Sequence, residues 1–115
     1  MYKVPEVDRL IITKIMRWTD VGKSGKVSEH SWFDSKSNYM TRKTNFRPSS
    51  SIKDAMVILQ RLQSQGYDVQ INLLADGDYE CKIWNPKGIC YPSKDLYLLG
   101  AINETLVFLI EQEEL

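Results

Sequence analysis

The strongest constraint in this sequence is a strictly alternating segment followed by a tight turn. Apolar and polar side chains alternate through residues 67–73, YDVQINL, which is the period of a half-buried β-strand. Asp76-Gly77 is a favoured turn sequence for a hairpin. The segment after the turn continues the alternation, with Tyr79, Cys81 and Ile83 on the apolar side. The sequence therefore predicts an antiparallel hairpin over residues 67–84.

Three segments have the apolar spacing of an amphipathic helix. The first covers residues 6–18, and Pro5 suits its first turn. The second opens at Ser51-Ile52-Lys53-Asp54, which has the form of a capping box, and Gly66 suits its end. The third is predicted over residues 95–111, and the acidic residues that follow are expected to be solvated.

The remaining segments favour loops with short strands. Residues 19–37 contain glycines and serines without a clear period, and a short strand is expected only around residues 30–33. A third strand of the sheet is expected at residues 89–91, where Pro92 should stop the pairing. The fold class predicted is α+β: one domain over residues 1–115, with a small antiparallel sheet and three helices in an α/β/α sandwich.

Composition narrows the class of protein. The chain has 15 acidic and 15 basic residues, so its neutral net charge argues against binding of long RNA or DNA. The amino terminus has charges and a proline where a secretory signal needs an apolar core, and the longest apolar run has seven residues. We therefore expect a cytoplasmic protein. Its two cysteines are expected to be reduced, with no metal site.

The sequence contains no complete enzyme motif. Gly22-Lys23-Ser24 resembles part of a phosphate-binding loop, but the glycine that such a loop needs five positions earlier is Arg17. His30 is the only histidine, and it has no serine, cysteine or acid at a readable spacing. The sequence therefore predicts no catalytic residues and no cofactor.

A basic segment is the first candidate for binding. Residues 35–53 contain five cations and no acid, and they end at the predicted start of the second helix. Cations beside free helix-start amides can bind phosphate, and an aromatic ring can stack on a base. The candidates here are Arg42, Lys43, Arg47, Ser49 and, as the ring, Phe46. The alternative is a solvated polar loop that Phe46 fastens to the core.

The end of the hairpin supplies the second group of candidates. Alternation places Trp84 on the polar side of its strand, beside Glu80 and Lys82, which favours a platform for a ligand. Asn85, Lys87 and Tyr91 could reach sugar hydroxyls or base edges. The alternatives are that Trp84 is covered within the fold or by a partner subunit, and that Lys87 faces solvent.

Nearly the whole chain resembles the phage ABA-sandwich domain family. The features that carry the resemblance are the residue that ends the first helix, the residues before the second helix, and those that lead into the strand: Trp18, Phe46, Pro48, Ser49, Gly66 and Tyr67. The resemblance supports the fold more strongly than an activity, because none of these residues is a catalytic signature.

The resemblance implies a phage anti-defence sponge in the cytoplasm of a bacterial host. Such proteins bind the glycocyclic ADP-ribose made by TIR-domain immune proteins and hold it without cleaving it, and some also take up cyclic trinucleotides. They assemble as dimers or higher homo-oligomers. The alternative is a protein-interaction module of a phage or prophage that uses residues 36–53 and Trp84 as its contact surface.

Overall fold

The computed structural model describes residues 3–115. Helix α1, Val4–Ile11, has Pro5 in its first turn, and the carboxylate of Glu6 accepts a hydrogen bond from the amide of Lys3 at 3.1 Å. The helix widens into a π-helical segment, Ile12–Met16, which ends where Arg17 adopts a left-handed conformation with φ of 60°. The predicted first helix is therefore present, but it begins and ends about two residues earlier than expected.

A small hairpin follows α1. Strand β1, Ser31–Phe33, pairs antiparallel with β2, Tyr39–Arg42, and a 3₁₀ turn follows at Lys43–Asn45. The strand expected around residues 30–33 is confirmed. The expectation that the basic segment is loop throughout was wrong at β2. This short strand forms because it pairs with β1, and its own sequence has no clear alternation of apolar and polar residues.

The second helix and the main hairpin follow the sequence prediction closely. In α2, Ile52–Ser64, the hydroxyl of Ser51 accepts a hydrogen bond from the amide of Asp54 at 3.3 Å. Strand β3, Asp68–Leu73, pairs antiparallel with β4, Tyr79–Trp84. Gly77 in the connecting turn has φ of 93°, a conformation that glycine adopts without steric cost. The predicted hairpin is therefore confirmed.

Strand β5, Cys90–Asp95, completes a sheet in the order β3-β4-β5. The expectation that Pro92 would stop the pairing was wrong, since the strand continues through it and Pro92 lies opposite Lys82 of β4. An edge strand tolerates a proline whose missing N–H would face away from its neighbour.

The last helix, α3, Leu98–Glu113, packs on β4 and β5 and also contacts α1 and α2. The hydroxyl of Thr105 in α3 is fully buried and donates a 3.0 Å hydrogen bond to the carbonyl of Cys81 in β4. The core lies between this sheet and the helices, where Ile58, Ile83 and Ile102 are fully buried. The predicted α+β class is confirmed. Within residues 3–115, no helix is long and apolar enough to cross a membrane.

Both α2 and α3 lie on the same face of the three-stranded sheet. The apolar side chains of β3 and β4 alternate toward them, and the residues on the other face pair across the strands in register. None of the residues on that other face is buried: Asp68, Gln70, Asn72, Glu80, Lys82, Trp84, Cys90, Pro92 and Lys94. The structure thus leaves one polar sheet face, with Trp84 on it, open to solvent. Within residues 3–115 the helices cover one face of this sheet rather than both, so the predicted α/β/α layering is not found in the single chain.

Candidate functional site

A cavity of about 310 Å³ lies between the start of α1, β1 and the segment that follows β2. We call it the α1 cavity. Three of the predicted ligand residues line it, namely Lys43, Phe46 and Arg47. The other lining residues were not among the ligand candidates: Val4, Pro5, Asp8, Arg9, Ile12 and Trp32. The structure therefore brings Lys43, Phe46 and Arg47 to one place.

The cations of the α1 cavity are held mainly by one buried carboxylate. Asp20 accepts a 2.7 Å hydrogen bond from the Arg9 guanidinium and a 3.3 Å hydrogen bond from the Lys43 ammonium. The Lys43 ammonium also donates to the carbonyl of Ser28 at 3.0 Å and lies 4.7 Å from the centre of the Trp32 ring. Lys43 is therefore fixed in position at the cavity wall.

The Arg9 guanidinium, helped by Lys43, holds the pKa of Asp20 below its ordinary value, against the opposing effect of burial. Because its pKa is lowered, Asp20 stays ionised and anchors both cations although it is only 8% exposed. Arg47 is exposed, and within residues 3–115 its side chain forms no ion pair. Arg47 is thus the cation of this cavity that is most available to an anionic ligand.

The ring of Phe46 is largely a core group. It is 7% exposed, and its centre lies 5.0 Å from that of Trp18 at an interplanar angle of 51°. Only a small part of the ring can reach the α1 cavity. Phe46 therefore fastens the basic segment to the core, as one sequence interpretation proposed, and also forms part of the cavity wall.

Protein carboxylates already occupy two amides near the start of α2. The amide of Ser49 donates to Asp8 at 2.8 Å, and the amide of Arg47 donates to Asp54 at 2.9 Å. Ser49 does not line the α1 cavity, and its buried hydroxyl oxygen has no hydrogen-bond partner within residues 3–115. These two amides are therefore not free to bind phosphate in this arrangement.

Three other predicted residues line a second cavity, of about 410 Å³, at the end of α3. Asn85, Lys87 and Tyr91 meet Glu113 there. The carboxylate of Glu113 accepts hydrogen bonds from the Asn85 amide at 3.1 Å and the Tyr91 hydroxyl at 3.2 Å. Asn85 and Tyr91 are thus already paired with a protein carboxylate, while Lys87 is exposed.

Glu113 was missed by sequence reasoning, and the expectation of a solvated acidic end was wrong for it. A carboxylate at the carboxyl-terminal end of a helix is repelled by the negative end of the helix dipole, so solvation was the simplest interpretation. In the structure a third donor, the Tyr67 hydroxyl at 2.6 Å, helps to offset this repulsion. Desolvation, reinforced by this hydrogen bond, raises the pKa of Tyr67 to about 12.

Trp84 and Arg42 line neither cavity. Trp84 lies on the open sheet face, between Asp68 of β3 and Cys90 of β5, and its side chain is partly exposed. Arg42 ends β2 and is exposed. The candidate residues of the sequence therefore occupy separate surfaces of a single chain.

These features define a small α+β domain with a cationic cavity beside its first helix. The sequence matches the phage ABA sandwich domain family over residues 9–95, more than half of the chain. The chain therefore belongs to the phage ABA sandwich domain family, as the resemblance predicted. No curated protein and no solved structure matches it.

Proposed function

We propose that this protein is a phage anti-defence sponge of the bacterial host cytoplasm. Its ligand would be a cyclic nucleotide-derived signal, in the first place glycocyclic ADP-ribose made by TIR-domain proteins and secondly a cyclic oligonucleotide. The observation that carries the proposal is the α1 cavity, where Arg9, Lys43 and Arg47 converge beside apolar and aromatic walls. Such a site suits a ligand that has both phosphates and rings.

The charge balance of the α1 cavity supports an anionic ligand. Asp20 offsets part of the charge of Arg9 and Lys43, and Asp8 is engaged by the amide of Ser49. Arg47 remains without an ion pair among the described residues. A diphosphate could therefore contact Arg47 directly while the fixed ammonium of Lys43 contributes from the wall.

Holding the ligand, rather than cleaving it, fits the roles of the acids nearby. Asp20 is paired with two cations, and Asp8 accepts a backbone amide, so both carboxylates have structural partners. The paired cations also lower the pKa of Asp20, which makes this carboxylate a weak general base. The proposal is therefore sequestration with release of an intact ligand.

The volume of the α1 cavity also indicates how much of the ligand it would enclose. About 310 Å³ lies at the low end of ordinary ligand pockets, which span roughly 300–1,000 Å³. One chain would therefore enclose only part of a cyclised ADP-ribose. The rest of the ligand would lie outside the cavity or against another subunit of a homo-oligomer.

Calorimetry against glycocyclic ADP-ribose and a panel of cyclic di- and trinucleotides tests the proposal. We expect stoichiometric binding that Arg47→Ala weakens by at least about tenfold, the equivalent of one charge-assisted hydrogen bond. Arg42→Ala is the matched control, because Arg42 is also exposed but lies outside the cavity. Binding of none of these compounds, or recovery of a cleaved product after denaturation, would refute the proposal.

The second candidate is a protein-interaction module, and the position of Trp84 favours it. Partly exposed indoles on an uncovered sheet face are common at the centres of protein interfaces. On this hypothesis Trp84 and residues 36–53 contact a host or phage protein. Cross-linking in infected cells, compared between the native chain and Trp84→Ala, should then give a partner that depends on Trp84, with no affinity for nucleotides.

A further inference from the structure

The outer edge of β3 has hydrogen-bonding groups that no other strand within residues 3–115 uses. The amide of Leu74 donates to the carbonyl of Asp78 at 2.9 Å, so these two residues form a hydrogen-bonded pair. Hydrogen-bonded and non-hydrogen-bonded pairs alternate along an antiparallel ladder. In that register the backbone groups of residues 68, 70 and 72 face β4. Those of Val69, Ile71 and Leu73 therefore point away from it, to the free edge of the sheet.

The same edge exposes apolar side chains. Leu73 is 73% exposed and Ile71 is 39% exposed. Ile71 lines a groove of about 300 Å³ between β3 and α2, where Met56 is 40% exposed. The β3 edge thus offers unpaired backbone groups and uncovered apolar surface side by side.

The opposite edge of the sheet is different. The amide of Asn85 donates to the carbonyl of Ile89 at 2.8 Å, so the outward backbone groups of β5 belong to Cys90, Pro92 and Lys94. Pro92 has no N–H at the middle of that edge, and Lys94 carries a charge, two features that prevent strand addition. Residues 69–73 of β3 contain neither proline nor a charged residue.

We infer that β3 pairs antiparallel with β3 of a second copy of this chain, around a two-fold axis at Ile71. Ile71 then lies opposite Ile71 of the second copy, and Val69 lies opposite its Leu73. These are the residues whose backbone groups point outward, so each such pair can exchange both of its hydrogen bonds. The sheets of the two copies become one continuous sheet.

The strand is complementary to itself in this register, which favours a second copy of the chain as its partner. Apolar residues meet apolar residues beside the α2 groove, and Gln70 meets Asn72 of the second copy on the open face. No like charges face each other, because residues 69–73 are uncharged. A shift of one residue would set apolar side chains against polar ones.

Charge substitutions at the two-fold position test this inference. Ile71→Lys and Ile71→Glu each place like charges directly opposite one another, so each variant alone should be monomeric. An equimolar mixture should dimerise, because opposite charges then meet at the axis. Leu96→Lys is the matched control, since Leu96 is an exposed apolar residue outside the sheet edge. Sedimentation measures the mass against 13.4 kDa for one chain, and circular dichroism confirms that each variant is folded.

The expected result is a dimer for the native chain and for Leu96→Lys, monomers for the two single variants, and a dimer for their mixture. A monomeric native chain, a dimer that persists in Ile71→Lys, or a mixture that stays monomeric would overturn the inference. Hydrogen exchange gives a second measure: the amides of Val69, Ile71 and Leu73 should exchange slowly in the native chain and quickly in Ile71→Lys.

The inference rests on the homo-oligomeric part of the proposed function and not on the identity of the ligand. None of the β3 residues lines the α1 cavity. Calorimetry on monomeric Ile71→Lys therefore separates the two: retained binding would leave the ligand proposal standing on a single chain, and failure of the native chain to bind would leave the dimer unaffected.

Discussion

Replacing Glu113 should destabilise the fold far more than its position near the end of the chain suggests. Its carboxylate accepts hydrogen bonds from the Tyr67 hydroxyl, the Asn85 amide and the Tyr91 hydroxyl. It thereby connects the last turn of α3 to the residue before β3, the residue after β4 and a residue of β5. Truncation to alanine removes all of these hydrogen bonds in one step.

The magnitude follows from the distances. A hydrogen bond to a charged group contributes about 1.5–3 kcal/mol, and the 2.6 Å bond from Tyr67 belongs in that range. The bonds from Asn85 and Tyr91, at 3.1 and 3.2 Å, are longer and can partly be replaced by water. We expect Glu113→Ala to lower the free energy of unfolding by about 2–3 kcal/mol, or Tm by roughly 10 °C for a domain of this size.

Urea denaturation of a double-mutant cycle measures this effect. The cycle combines Glu113→Ala with Tyr67→Phe, and the coupling energy should be about 1–2 kcal/mol. Glu111→Ala is the matched control, because it removes an exposed carboxylate from the same helix turn and should change stability by no more than about 0.5 kcal/mol. Equal effects of the Glu113 and Glu111 substitutions, or a coupling near zero, would refute the reasoning.

Three further outcomes are expected. Because the pKa of Asp20 is lowered in the fold, its contribution to stability is present above about pH 4, the ordinary value in an unfolded chain, and is lost as pH falls through the lowered value. Urea midpoints should therefore fall with acid less steeply in Asp20→Asn, and identical slopes would contradict this. Tyr67 should ionise near pH 12 in an ultraviolet titration, so its contribution is complete below about pH 10 and lost toward pH 12; an ordinary pKa that Glu113→Ala leaves unchanged would argue against the contact. Thr105→Val should cost about 1–2 kcal/mol by chemical denaturation, because the carbonyl of Cys81 loses a buried donor at nearly constant volume; a neutral substitution would show that the hydrogen bond contributes nothing net.

The main hairpin could be predicted because its signals are local. A period of two through residues 67–73, a turn that needs glycine and a second alternating strand are each readable without knowing the rest of the fold. The capping serine of α2 is equally local, since its hydroxyl bonds an amide three residues ahead. These elements therefore matched within one or two residues.

Strands β2 and β5 show where local signals fail. Strand β2 forms because it pairs with β1. Strand β5 continues through Pro92 because it lies at a sheet edge. Neither partner nor edge position is encoded within the segment itself. Sequence reasoning therefore assigned loop to the first and an early stop to the second.

The candidate site also combines features that are visible in the sequence with features that only the fold creates. That residues 35–53 carry cations without acids is a property of the sequence, but Asp20 and Arg9, which fix Lys43 at the cavity wall, lie far from it along the chain. The sequence also offers both Phe46 and Trp84 as candidate aromatic rings for a ligand. The fold separates them, placing Phe46 in the core and Trp84 on the open sheet face.

The sequence by itself determined the helices, the hairpin, the α+β class and the kinds of side chain available for binding, because periodicity and turn chemistry act over a few residues. Only the tertiary structure decided which cations meet, which acids neutralise them, and which strand edge stays unpaired. Those outcomes depend on contacts between residues distant in the chain, such as Tyr67 with Glu113 and Arg9 with Asp20, whose strength comes from a burial that no single segment creates.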